Sequence, residues 1–180
     1  MSGDTLREAF PQGRFAAAAT EAEISAAEAA LGVRLPEQLR RLYRECDGFP
    51  EDRGNAKYLL SLTEVDDIGS LVSVTDFWWA EWRVPDLRPF VFFGWSGGGD
   101  CWGVNTVRPA EVIAYHHNMG DVYEVVGSDM LALYLADYRK YEEFEGSVWA
   151  SFMVTDIWYP TRSVGIPRKL GDSDLRGNSL

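Results

Sequence analysis

The sequence predicts an α+β domain: an antiparallel sheet of about five to six strands, flanked by an N-terminal helix pair and a C-terminal helix. Three observations carry that reading. Two short stretches with helical spacing open the chain, apolar runs divided by turn residues fill its middle, and a third helical stretch begins at Asp129.

Thr20 and Glu23 stand three apart, the capping-box spacing that satisfies the first free N–H groups of a helix. Ile24, Ala27, Ala30 and Leu31 then share one helical face, and Gly32 suits a left-handed stop. Leu35-Pro36 opens a second helix, since proline is tolerated in a first turn. Leu39, Leu42, Tyr43 and Cys46 recur at helical spacing until Asp47-Gly48 ends the pattern.

Tyr58–Leu62 and Phe90–Trp95 are short apolar runs, and Trp102–Thr106 and Val112–His116 alternate as half-buried strands do. Asn118-Met119-Gly120-Asp121 reads as a hairpin turn into Val122–Val126. Between the first two runs, Asp76–Arg83 is expected to form a helical turn capped by Thr75. From Asp129 to Phe144 a helix is expected, with Leu131, Leu135 and Tyr138 as its stripe, widened by Tyr134 and Tyr141. Ser147–Tyr159 is apolar and reads equally as helix or strand. Beyond Arg162 the composition shifts to Gly, Pro, Ser and charge. Residues 1–160 are therefore expected to form a single domain and residues 161–180 a flexible tail.

Composition narrows the function. The 180 residues are 46% hydrophobic and include 7 Trp, 8 Tyr and 9 Phe, enough aromatic surface for a sizeable core. The net charge of −11 repels polyanions, which argues against nucleic acid as a direct ligand, and attracts basic proteins. Acidity also serves solubility, so it does not by itself name a partner. Met1–Phe10 has no apolar signal core, and no apolar run approaches the roughly 20 residues of a membrane span. A cytoplasmic protein, monomeric or weakly dimeric, is expected. Cys46 and Cys101 form no CxxC pair; Cys46 lies in a helical apolar pattern and reads as a core thiol.

One catalytic pattern is present. Gly94-Trp95-Ser96-Gly97-Gly98 fits G-x-S-x-G behind an apolar strand. That motif needs a helix directly after the serine, and three glycines make a poor helix start at about 1 kcal/mol each. A glycine-rich hairpin loop is the better reading, and no enzymatic activity is expected. The same glycines lack the spacing of a phosphate-binding loop. His116 and His117 are adjacent, so on a strand they point to opposite faces and cannot both grip one metal. Asp121 offers one of them a neighbour, but no third ligand has suitable spacing, so neither metal nor cofactor is expected.

Glu64, Asp66 and Asp67 crowd a loop without the pattern of a calcium-binding hand, and read as a solvated or partner-facing acidic stretch. Trp78, Trp79 and Trp82 fall too close together for all to face inward. Exposed large aromatics are the side chains that anchor protein interfaces. Any single one is expected in the core, and at least one of the set in partial contact with solvent.

The order of these pieces resembles a family. Ile24 through Glu28 to Leu31-Gly32, then Leu35-Pro36, Leu39, Tyr43 and Asp47-Gly48, is similar to the opening helix pair of the SUKH superfamily. That superfamily includes a fungal cell-wall synthesis regulator and many bacterial toxin-immunity proteins. Phe93-Gly94 and Gly98-Gly99-Asp100 resemble its glycine-rich strand segment, and Val112–Val126 with Asp129–Tyr138 its hairpin and final helix. The likeness covers Thr20 to Phe144. The aromatic insert at Trp78–Trp82 and the segment after Gly146 depart from it. The resemblance implies an antiparallel sheet flanked by helices, no catalytic residues, and a cognate toxin, often a nuclease and therefore basic, as partner. A regulatory hub like the fungal members is the alternative. Independently of the resemblance, the acidic and aromatic side chains expected to make the contacts are Glu64, Asp66, Asp67, Trp78, Trp79, Trp82 and Asp100.

Overall fold

The computed structural model describes residues 5–11, 13–50, 56–63, 68–80, 86–96, 99–119 and 122–145. A short helix α1 (Leu6–Ala9) precedes the expected pair α2 (Glu21–Leu31) and α3 (Glu37–Glu45). The capping box forms in full: the Glu23 N–H donates to Thr20 Oγ1, and Glu23 Oε2 accepts the Thr20 N–H at 2.7 Å. Ile24, Ala27 and Leu31 are buried, while Ala30, at the edge of the stripe, faces solvent. Gly32 ends α2 at φ 68°, a conformation that costs a side-chain-bearing residue strain. Leu39, Leu42, Tyr43 and Cys46 all enter the core from α3.

Arg40 joins the two helices. Its guanidinium bonds Glu28 Oε1 at 2.6 Å and also Glu21, while Arg44 holds Glu21 and Glu37. Glu28 accepts the Leu35 N–H as well, which fixes the turn between the helices.

The strands are β1 (Phe49–Pro50), β2 (Lys57–Leu59), β3 (Phe90–Trp95), β4 (Cys101–Asn105), β5 (Val112–His116) and β6 (Val122–Gly127). They lie side by side in chain order as one sheet, each antiparallel to the next. The α+β expectation holds. The expectation that β4 and β5 are half-buried does not, because β4 is buried throughout and β5 through its first four residues. Helices on both faces explain this. On one face, α4 (Leu71–Ala80) sets Trp78 against Phe92 and Tyr115. On the other, α5 (Met130–Glu145) sets Tyr134 against Tyr58, Phe93 and Trp102.

α4 corrects the expected turn at Asp76–Arg83. The helix starts earlier, and Ser70 rather than Thr75 caps it: the Ser73 N–H donates to Ser70 Oγ at 3.1 Å. Thr75 is mid-helix and buried, with its hydroxyl accepting the Phe92 N–H at 3.0 Å and tying α4 to β3. In α5 the stripe is rotated from the expected one. Met130, Leu133, Tyr134 and Asp137 are buried beside Leu131, and Leu135 is only partly so. Asp137 is a core carboxylate, and Tyr58 donates its hydroxyl to it at 3.1 Å. The side chains of Tyr138 and Tyr141, and the whole of 146–180, lie outside the described residues, with the expected tail among them.

Candidate protein-binding surface

The β3–β4 hairpin, the β5–β6 hairpin and the outer face of α4 meet at one end of the sheet. The register puts Cys101 opposite Tyr115 and His116 opposite Val122. Asp100 and Glu124 thereby come to either side of His116. Asp100 Oδ2 lies 2.8 Å from His116 Nδ1, and Glu124 Oε1 lies 3.4 Å from Nε2. The His116 and Glu124 side chains are only 12% and 13% exposed, against 30% for Asp100. The hydrogen bond that the His116 ring donates to Asp100 raises the His116 pKa above its ordinary 6.5, outweighing burial, and the Asp100 charge and Glu124 add to the rise.

Gly99 makes this end compact. Its φ is +100°, and a Cβ there would stand 2.6 Å from His117 Cε1. The loop therefore approaches the imidazole as only a glycine allows. The Ser96 N–H donates to the Asp100 carbonyl at 2.9 Å, so the serine opens a hairpin that returns as an antiparallel strand. A nucleophile elbow would need a helix there. The glycine-loop reading stands, although Gly97 and Gly98 lie outside the described residues.

Around these polar groups stand exposed apolar side chains. Phe77 on α4 is 59% exposed, Met119 68% and Val122 43%. The Phe77 ring packs edge-on against Trp78, and Trp78 lies 5.8 Å from the His117 ring, which links α4 to the hairpin end. Val107, also exposed, sits in the β4–β5 turn at the opposite end.

The residues expected at an interface fare differently. Asp100 reaches this surface. Trp78 turns inward: it is 8% exposed, ringed by Phe92, Tyr115 and His117, and its indole N–H donates to Cys101 Sγ. Its place on the Leu71, Val74, Thr75 stripe turns it inward. Trp79 is partly buried, and its N–H is taken by the carbonyls of Leu87 and Phe90, at the far end of β3. Glu64, Asp66, Asp67 and Trp82 lie outside the described residues, as does Asp121. Sequence reasoning missed Phe77, Met119 and the pairing of His116 with Glu124. The last was recoverable, because a hairpin pairing His116 with Val122 puts Glu124 on the same sheet face two residues on.

Among the described residues no group of His, Cys, Asp and Glu is arranged to hold a metal ion. Both thiols are buried and free, and burial pushes each up to about 12. A thiolate is the reactive form. Neither cysteine is expected to react with a thiol reagent near neutral pH until urea unfolds the protein, and labelling read by mass spectrometry checks this. Fast labelling of the native protein would show an accessible thiol.

No described helix is long and apolar enough to cross a membrane. Curated proteins provide no match to the chain. The family model of the SMI1 / KNR4 family (SUKH-1) matches residues 18–133, which takes in both opening helices, the whole described sheet and the first turn of α5. With well over half of its length so matched, the chain belongs to the SMI1 / KNR4 family (SUKH-1).

Proposed function

We propose that this chain is an immunity protein that binds a cognate toxin domain and neutralises it by occlusion, without catalysis of its own. Family membership is the observation that carries the reading. The net charge of −11 supports a basic partner, of the kind a phosphate-handling nuclease site presents. The structure exposes the charge of Asp100 in part and the ring of Phe77 largely, the kinds of side chain that suit an interface rim and its apolar anchor. An interface of ordinary size, about 800 Å² per partner, would extend beyond the hairpin end. Glu64, Asp66, Asp67, Trp79 and Trp82 are the further contacts in this reading, and Trp78 supports the exposed ring of Phe77. We place the protein in the cytoplasm, as one domain of residues 1–160 with 161–180 appended.

The test uses the full chain as bait in extract of its own source cells, followed by co-expression of the retained toxin. A basic toxin domain held one-to-one, released by salt and no longer tolerated by cells when Asp100→Lys is combined with Phe77→Ala, is the expected result. Retention of several unrelated proteins, or of none, would move the family role towards a regulatory hub. Full protection by the double variant would remove the hairpin end from the interface.

A further inference from the structure

The Asp100–His116–Glu124 arrangement has a requirement of its own. A neutral imidazole has one N–H and one lone pair, and an ionised carboxylate only accepts. Carboxylate oxygens stand at both ring nitrogens, at 2.8 Å and 3.4 Å. Both contacts are hydrogen bonds only when the ring carries two protons. Asp100 approaches from the leading end of β4, Glu124 from β6, and His116 closes β5, so a single ring spans three strands. Among the described residues the other titratable group at this point is His117, whose Nδ1 is 3.8 Å from Asp100 Oδ1.

We propose that His116 is held as an imidazolium bridging Asp100 to Glu124, and that strand β6 loosens when rising pH removes the proton from Nε2. Which nitrogen yields is set by geometry. The shorter contact keeps the proton on Nδ1, facing Asp100. Nε2 is then a lone pair facing the Glu124 carboxylate, and attraction becomes repulsion. β6 feels this because it is the last strand of the described sheet and bonds only to β5, with residues that are half-buried or exposed. Its pairing already slips once, where Val112 faces Gly127 and Ile113 faces Val125, leaving Val126 unmatched. The direction follows from linkage. A ring whose folded pKa stands above its unfolded value stabilises fully below the unfolded value, and that contribution fades as pH rises through the folded one.

Imidazole nitrogen NMR and amide hydrogen exchange from about pH 5.5 to about pH 8.5 test this together, across the range where histidine titrates. The chain has two histidines, so His116→Gln assigns the ring signals. The expected result is a neutral His116 protonated on Nδ1, the tautomer less favoured by free histidine in water. With it, exchange protection at Val122–Gly127 should fall severalfold relative to β4 as pH rises. Glu124→Gln should abolish that fall, because a carboxamide N–H donates to the Nε2 lone pair. A neutral ring protonated on Nε2, β6 protection unchanged with pH in the wild type, or a fall as steep in Glu124→Gln would each overturn the proposal. None of these readouts involves a toxin, so they stand apart from the immunity reading.

Discussion

Trp78→Ala is expected to cost the fold about 3–5 kcal/mol, as large-to-small changes at buried aromatics do. Phe77→Ala, one residue away, should cost within about 0.5 kcal/mol, as exposed positions do. The indole of Trp78 fills the space between α4 and the sheet, touching Phe92 and Tyr115, and its N–H is satisfied by Cys101 Sγ. Removing it opens a cavity that rigid strands on one side and a helix on the other do not close. Phe77 rests on Trp78 with most of its own ring in water. Urea unfolding followed by circular dichroism gives both midpoints. Since domains are stable by only about 5–15 kcal/mol, the first variant should lose a large part of its stability. A Trp78→Ala midpoint equal to that of the wild type would return this tryptophan to the list of partner contacts.

Arg40→Met is the second large effect, at about 2–3 kcal/mol. The Arg40 side chain is 10% exposed and that of Glu28 17%, so deletion of the guanidinium strands a carboxylate that has little water to turn to. Losing one member of such a pair costs more than the pair contributes. The loss stays below the roughly 3–5 kcal/mol of a fully buried pair, because Glu21 is largely exposed and rehydrates. Adding Glu28→Gln to Arg40→Met should recover part of the loss. The carboxamide oxygen still accepts the Leu35 N–H, and the stranded charge is gone. Equal stability of the two variants would mean that packing of the arginine stem, rather than charge, makes the contribution.

Local signals were the legible ones. Thr20, Glu23 and Gly32 fix the ends of α2 within their own turns, so no distant residue was needed to read them. β3 was bounded correctly because its run is short, almost wholly aromatic or β-branched, and set between Pro89 and the glycines. α4 was misplaced because Val72, Val74 and Thr75 are β-branched and poor in helix propensity. Its helix is stabilised from outside, through the Thr75 bond to Phe92 and the burial of Leu71 and Trp78. The burial of Asp137 drew no notice in the sequence for a similar reason. Its hydroxyl partner, Tyr58, is 79 residues away, and nothing in the helix itself announces it. At the hairpin end the same rule holds. Asp100 was marked by its place after the glycines, whereas Phe77 became visible only once Trp78 beside it was seen to turn inward.

The strand order has a consequence for how this chain assembles. Because each strand lies beside its neighbour in sequence, most sheet pairings are hairpin closures, which cost little loop entropy and form early. α5 is held differently, by Tyr58 across 79 residues to Asp137 and by Gln38 across 92 to the Met130 N–H. A nascent chain can thus pair its strands as they emerge, but one sheet face stays open until residue 145 is made. α5, the last helix of the described residues, is the lid on the core, and a chain halted before it would expose Phe93, Trp102 and Tyr58 together.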